Sequence, residues 1–249
     1  MAQVIADELS RADAAFSGNR LLTTFSNEDR ALIEAFGSTV SLKSGQTIFD
    51  RDEALTTSLF PVGPTMISMS VELSGGRTVE VASIGREGAV GGIVSCGHAP
   101  AFSRAWVLVP GPAFMLPLEQ LEDAKRRSRF VEHIFCRFSD YLLAQVMQSA
   151  ACNAYHSIVQ RAARWLLHAQ DRAGDRIELT QEAFAGLLGA QRTTVNAAIQ
   201  ELVAAGLIKS GRGTVSVVDR AGLKRRACEC YERLEQHFGA VIGPGGSGG

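Results

Sequence analysis

The sequence predicts an α+β chain in three sections, and three observations predict it. Between about Thr39 and Leu118, short runs of alternating apolar and polar residues are punctuated by glycine and proline, the pattern of a small antiparallel sandwich or barrel. From Leu118 to Ala169 neither glycine nor proline occurs, and apolar residues recur at helical spacing. Beyond Gly174 come a short strand, two short helical patterns, a glycine-tipped hairpin and a terminal helical pattern. A chain of 249 residues, 46% hydrophobic and 20% charged, suits two globular domains.

The β section is preceded by a predicted short amphipathic helix over residues 21–36. Ser26 is its N-cap, acids fill its first turn, and Leu32, Ile33 and Phe36 mark one face. Three stretches read as strands: "TVSLKSGQTIFD", "TMISMSVELSGGRTVEVASIG" and "SRAWVLVPGPAFMLPL". Ser74–Gly76 forms a hairpin turn between alternating runs in the second of them. In the long helical section Phe130, Ile134, Phe138 and Tyr141 lie along one side, while Phe135, Leu142, Val146 and Met147 widen the apolar surface. A helix with one buried stripe satisfies a monomer; two stripes need another partner, and a second copy of the helix is the economical one. A homodimer is therefore expected, joined through Ile134, Phe138, Tyr141, Gln145 and Gln148.

Composition excludes several classes. No apolar run is long enough to span a bilayer, and the first residues carry acids where a secretion signal needs bases, so the expected location is cytoplasmic with no membrane partner. The cysteine count is odd, and Cys96, Cys136, Cys152, Cys228 and Cys230 show no C-x-x-C spacing, so buried free thiols are expected rather than disulfides or a metal site. The Cys228–Cys230 pair, placed on one helix, would point its thiols in different directions. His98, His133, His156, His168 and His237 show no H-x-H or H-x-x-x-H spacing, and no cofactor is expected. Cys96 beside His98, in a glycine-rich loop, is the one pair singled out as a redox or metal candidate.

The net charge of −1 carries no polyanion signal, but its distribution does. From Cys152 onward 12 Lys and Arg face 9 Asp and Glu, while the earlier part has 13 against 17. The positive share accompanies "LLGAQRTTVNAAIQEL", where Gly189 and Ala190 make a turn between two helices. The second helix is predicted from about Gln191 to Ala205, with Gly206 as its stop. Val195, Ile199 and Leu202 fall within one arc and face a core, leaving Thr193, Asn196, Ala197 and Gln200 on the opposite arc with Arg192 at its edge. That arc has no carboxylate before Glu201, where an ordinary solvated face mixes Glu with Lys. It offers an arginine for guanine, amides for adenine and a threonine for the thymine methyl. Thr180 and Gln181 at the start of the first helix, and Gln191 at the start of the second, can meet phosphate, as can Lys209 and Arg212 on the hairpin that follows. This is the pattern of a winged helix-turn-helix.

The order of parts resembles the Crp–Fnr family of bacterial transcription regulators. The resemblance rests on "RTVEVASIGREGAVGG", "SRAWVLVPG" and "IELTQEAFAGLLGAQRTTVNAAIQELVAAGLIKSGRGTVSVVDRAGL" and covers residues 21–231. It implies a cyclic-nucleotide-binding-like jelly roll, or β-roll, at 21–127, a dimerisation helix at 128–153 and a winged helix-turn-helix at 154–238. An N-terminal arm at 1–20 and a flexible tail or linker at 239–249 flank them. It further implies a homodimer on a two-fold duplex DNA site, with RNA polymerase as a partner and Arg192, Thr193 and Asn196 as base readers. Ala197 stands where some members carry a further base-reading arginine.

The candidate effector pocket, Glu87, Ser103 and Arg104, departs from the cyclic-AMP-binding members. They have an acid following the glycine of the ribose-binding pair, whereas no acid follows Gly88, and their phosphate-binding Arg-Ser is reversed here to Ser103-Arg104. A one-residue shift in a strand moves a side chain to the other face of the sheet. The resemblance thus implies a non-enzymatic regulator whose effector is not cyclic AMP, or which has none. The alternatives are a receptor for another nucleotide and, remotely, a cupin-like metalloenzyme.

Overall fold

The computed structural model describes residues 16–93 and 99–243, apart from the side chain of Arg77. Cys96, His98, most of the expected N-terminal arm and the end of the expected tail lie outside the described residues. The chain divides into two compact units: one holds residues up to Ser68 and Ser83–Asp140, the other Met69–Ala82 and Tyr141 onward. Among the described residues no helix is long and apolar enough to cross a membrane.

In the first unit the predicted opening helix is divided. Ser26 does cap α1 (Asn27–Ala31), in a capping box with Asp29, but the helix stops at Leu32 and short 3-10 turns stand on either side, at Leu22–Thr24 and Glu34–Phe36. Ile33 is buried while Phe36 is exposed, so the expected apolar face does not form as one stripe. Asp29 is held below the usual carboxylate range although burial acts against its charge, because Ser128 and Ser26 donate hydrogen bonds to it.

Among the described residues seven strands follow: β1 (Ser38–Leu42), β2 (Thr47–Phe49), β3 (Thr57–Pro61), β4 (Met66–Leu73), β5 (Arg77–Ile84), β6 (Arg104–Val109) and β7 (Gly111–Pro117). They form two sheets, β1-β7-β3 and β2-β6-β4-β5, the layers of a β-roll. All but β3 fall in the stretches read as strands. β3 escapes a search for alternation because four consecutive residues, Ser58 to Pro61, are buried. The β4–β5 turn lies at Ser74–Gly76 as expected, with Gly75 and Gly76 both at positive φ. Phe60 and Phe114, both buried, meet at a tilt of 53° in the core, their ring centroids 6.1 Å apart.

The long helical section holds three helices, α2 (Leu118–Arg127), α3 (Arg129–Tyr155) and α4 (Ile158–Ala173), of which α3 lies where the dimerisation helix is expected at 128–153. Serines make both breaks. Ser128 is extended, and its Oγ accepts from Val131 N while donating to Asp29 Oδ1. Ser157 starts α4 in a capping box with Gln160.

The structure buries four of the five residues of the expected dimer face within the single chain. Ile134, Phe138, Tyr141 and Gln145 are all 5% exposed or less within the single chain, and Gln148 donates to Cys230 Sγ. Phe138 closes on Gly88, where an added Cβ would stand 2.1 Å from its ring, and Tyr141 packs edge-on against Phe238. In its C-terminal half α3 leaves Leu143 (56%), Val146 (41%), Met147 (62%) and, at its last residue, Tyr155 (88%) exposed, with Ala150 one turn beyond Val146. Periodicity identifies two apolar stripes but not which one the protomer buries.

The second unit completes the fold with β8 (Arg176–Glu178), α5 (Gln181–Leu188), α6 (Arg192–Ala204), β9 (Ile208–Gly211), β10 (Thr214–Val217), α7 (Arg220–Arg226) and α8 (Cys230–Val241). The strands form an antiparallel sheet, β8-β10-β9. The expected single terminal helix is broken at 227–229, where Ala227 turns extended.

Candidate nucleic-acid interface

The second unit positions its polar residues by local rules. Thr180 caps α5, its hydroxyl accepting from Ala183 N at 3.1 Å. Gly189 ends that helix in the left-handed region at φ 57°, and Arg161 on α4 donates to the carbonyl of Leu188. This turn cannot accept bulk, because a Cβ at Gly189 would stand 2.8 Å from Val79. Trp165 on α4 also donates to Glu80 Oε1 at 2.7 Å, so the β4–β5 hairpin packs with this unit.

α6 then starts at Arg192, after Gln191, whose side chain makes no capping hydrogen bond. Val195, Ala198, Ile199 and Leu202 are buried, as the helical period predicts, and Thr193, Ala197 and Gln200 are exposed with Asn196 half-buried. Thr194, which the predicted arc leaves out, is also exposed in the first turn. Glu201, the first acid of the helix, is paired with Arg226 of α7, so its charge is met.

A cavity of about 360 Å³ opens where the starts of α5 and α6 meet the β9–β10 hairpin. Thr180, Gln181, Glu182, Arg192, Ser210 and Arg212 are among its lining residues. Four of the predicted residues, Thr180, Gln181, Arg192 and Arg212, thus share one concave surface. Thr193, Asn196, Gln200, Gln191 and Lys209 do not line it; the first three lie on α6 and Lys209 is exposed on β9. Arg192 Nη1 lies 3.6 Å from Glu182 Oε2, an exposed ion pair across the two helices. Gly213 at φ 72° makes the hairpin tip. Ser210 was missed because nothing in a lone serine marks it; only the hairpin register brings it to the cavity.

Behind this surface one polar group of the domain is satisfied internally, whereas Arg161 Nε, Arg164 Nε and His168 Nε2 are buried without a hydrogen bond. Arg220 donates to Asp171, Gln170 and the Tyr231 hydroxyl, and Tyr231 donates to Asp171 Oδ2 at 2.7 Å. Burial, with help from the Asp171 hydrogen bond, pushes the Tyr231 phenol up. Burial, with Arg172, Arg164 and Arg220 nearby, holds His168 well below its ordinary value, so the 3.7 Å approach of Glu235 is not a charged pair at neutral pH.

The candidate effector residues present a different picture. Glu87 is buried, and both carboxylate oxygens accept from Gly85 N at 3.1 Å, closing their own turn. Ser103 is buried, but Arg104 is exposed, bonded to Thr47 Oγ1 at 2.8 Å and 3.5 Å from Asp50. Arg104 is thus the exposed first residue of β6, and Ala105, which follows it, is buried. Among the described residues, the groups of His, Cys and carboxylate side chains close enough to share an ion lie at Cys152, His156, Cys228 and Cys230 and at His168, Asp171 and Glu235. None of the residues in these groups lies in the described part of the β-roll.

Comparison with known proteins agrees with this geometry. Residues 160–226 match the family model of the Crp-like helix-turn-helix domain. No curated protein matches the chain. Among solved structures, FixK2 from Bradyrhizobium japonicum is similar at 17% identity, with a TM-score of 0.66 over 77% of this chain and 98% of that one. A CRP-family transcriptional regulator from Thermus thermophilus, TTHB099, is similar at 19% identity, with a TM-score of 0.63 over 76% and 96% of the two chains. CLP of Xanthomonas campestris, described as a c-di-GMP responsive global regulator, is similar at 15% identity with a TM-score of 0.60 over 76% and 97%. The chain therefore carries a Crp-like helix-turn-helix domain within the fold of the Crp/Fnr regulators.

Proposed function

We propose that the chain is a sequence-specific DNA-binding transcription regulator, acting as a homodimer on a two-fold site with one α6 in each of two successive major grooves. The observation that carries this reading is the exposed arc of α6. It presents Thr193, Asn196 and Gln200 with no carboxylate, and its start joins a concave surface edged by Arg192 and Arg212. Arg192, Thr193, Asn196 and Gln200 meet bases, while Thr180, Gln181, Gln191, Lys209 and Arg212 hold flanking phosphates. RNA polymerase is the partner on which such a bound dimer acts, in the bacterial cytoplasm where the chromosome lies.

The second copy docks along Leu143, Val146, Met147 and Ala150. An exposed apolar stripe on a long helix is a contact surface rather than a solvent face, and a copy of itself complements it by symmetry. Selection from a random double-stranded library, followed by sedimentation of the selected complex, tests both parts. The expected result is a palindromic motif bound by two chains. Chains that remain single in solution, or that enrich no motif with or without candidate nucleotides, overturn the reading.

A second reading concerns the effector. The outward Arg104 and the self-closed Glu87 turn argue against cyclic AMP, whereas the fold is shared with a regulator described as c-di-GMP responsive. A nucleotide of another kind is therefore the alternative to no effector at all. Thermal unfolding across cyclic mono- and dinucleotides separates the two, since a ligand that binds the native state raises the melting temperature saturably.

A further inference from the structure

A second group of chemistry-bearing side chains lies apart from the DNA-facing surface. Cys152 lies in the last turn of α3 and His156 directly after its end; the His156 N–H still donates to the Cys152 carbonyl at 3.0 Å, which keeps the helical spacing of four and puts the two side chains on the same face. Cys228 lies in the coil between α7 and α8, and Cys230 is the first residue of α8. The expectation that the last two thiols diverge assumes one helix through both, and the break at 227–229 removes that assumption. Cys152 Sγ is 3.5 Å from Cys228 Sγ, Cys230 Sγ is 3.4 Å from His156 Nδ1, and the four atoms all lie within 4.8 Å of one another. The three thiols are buried and His156 is half-buried.

These distances separate coordination from ordinary packing. Metal–sulfur bonds near 2.3 Å and metal–nitrogen bonds near 2.0–2.1 Å, set at tetrahedral angles, hold ligand atoms about 3.5–3.8 Å apart. The two short contacts match that edge, and the remaining separations need only a small contraction. Cysteines acting as small apolar fillers have no reason to converge on an imidazole nitrogen. The surroundings point the same way. His156 Nε2 lies 3.3 Å from Glu229 Oε2, so a carboxylate can hold the ring with Nδ1 toward the thiols, the usual support of a metal-bound histidine. Gln148 Nε2 donates to Cys230 Sγ at 3.0 Å, and Arg161 and Arg164 bring positive charge to the sulfurs.

We propose that Cys152, His156, Cys228 and Cys230 form a closed Cys3His site for a tetrahedral divalent ion, zinc by the softness and number of its donors. Four protein ligands leave no open position for a reacting water, so the site is structural or sensory rather than catalytic. On binding, the three thiols lose their protons and the imidazole coordinates in its neutral form. The ion fastens the end of α3, next to the exposed Met147 stripe, to the start of α8. Metal supply and the geometry of the dimer helix thereby become linked.

Titration of the reduced full-length protein with cobalt(II) tests this directly. The expected result is one equivalent bound per chain, with the intense visible bands of tetrahedral thiolate coordination, and displacement by zinc. Cys228→Ser and His156→Ala should each abolish the saturable band. Since either can disturb the fold, Glu229→Gln provides a milder variant: the carboxylate is largely exposed, and its loss should weaken cobalt binding about 10–100-fold with circular dichroism unchanged. Absence of a thiolate–cobalt band in reduced protein overturns the proposal. So does a band that survives Cys228→Ser, or metal-free protein isolated with a Cys152–Cys228 disulfide. DNA selection in the metal-free state reports separately on the regulator reading.

Discussion

The turn at Glu87 and the face of α6 both carry polar residues singled out for binding, and the fold treats them in opposite ways. Glu87 is buried and holds Gly85 N with both oxygens, next to a Gly88 that touches Phe138. On α6 the apolar arc is buried, and Thr193 and Gln200 are left exposed. A polar group whose bonds are met at home has little to offer a ligand, whereas an exposed amide on a rigid helix offers all of its bonds at fixed positions. A polar residue's promise as a binding group therefore depends on what else its bonds must do. The sequence alone does not reveal that.

The strongest test of this contrast lies on the closed side. Phe138→Ala should destabilise the protein by about 3–5 kcal/mol. The loss should not depend on protein concentration, because Phe138 is fully buried within one chain. A melting temperature that falls only at low concentration would return Phe138 to a dimer interface. On the open side, Arg192→Ala should cost about 1–3 kcal/mol of specific binding and relax preference at one base pair, read by competition among single-base operator variants. Unchanged affinity would remove Arg192 from base reading.

A smaller effect distinguishes exposed from buried polar groups inside the same domain. His168 stays neutral when folded, because its folded value lies below the ordinary 6.5 of the unfolded chain. The unfolded state therefore binds the extra proton first as pH falls below about 6.5. Stability should decline below that pH, by no more than one proton's worth per pH unit, and His168→Gln should flatten this limb of the denaturation profile. The smallest expected change is at the hairpin. Arg212→Ala should weaken binding to all DNA sequences alike and lower the slope of log affinity against log salt by about 1. A sequence-selective loss would mean that Arg212 touches a base.

Some of the molecule was legible because its signals are local. The α6 core arc, the Thr180 cap, the Gly189 turn and the Arg212–Gly213 tip each follow from spacing or backbone preference within a few residues. The family resemblance places helix boundaries near Ser128 and Ser157, but spacing alone does not mark these serines, since a serine interrupts a helix only when its hydroxyl finds the backbone or a distant group such as Asp29. β3 gave no alternation because its neighbours cover both of its faces. Likewise, α3 shows two apolar stripes, and only the packed chain reveals that Phe138 and Tyr141 belong inside while Leu143 and Met147 do not. The convergence of Cys152 with Cys228 spans 76 residues and rests on a bend in the terminal segment.

The 3.6 Å approach of Arg192 to Glu182 has a consequence for discrimination. In the free domain this guanidinium is folded back toward a carboxylate on the preceding helix, and in the proposed role it must let go before it can grip a base. An exposed pair of this kind is worth about 1 kcal/mol or less, so the restraint is gentle. On the proposed reading it nevertheless acts in one direction: a guanine offering two acceptors would win the arginine, and a base offering none would leave it where it was. Fidelity thus begins with a mild preference for abstaining.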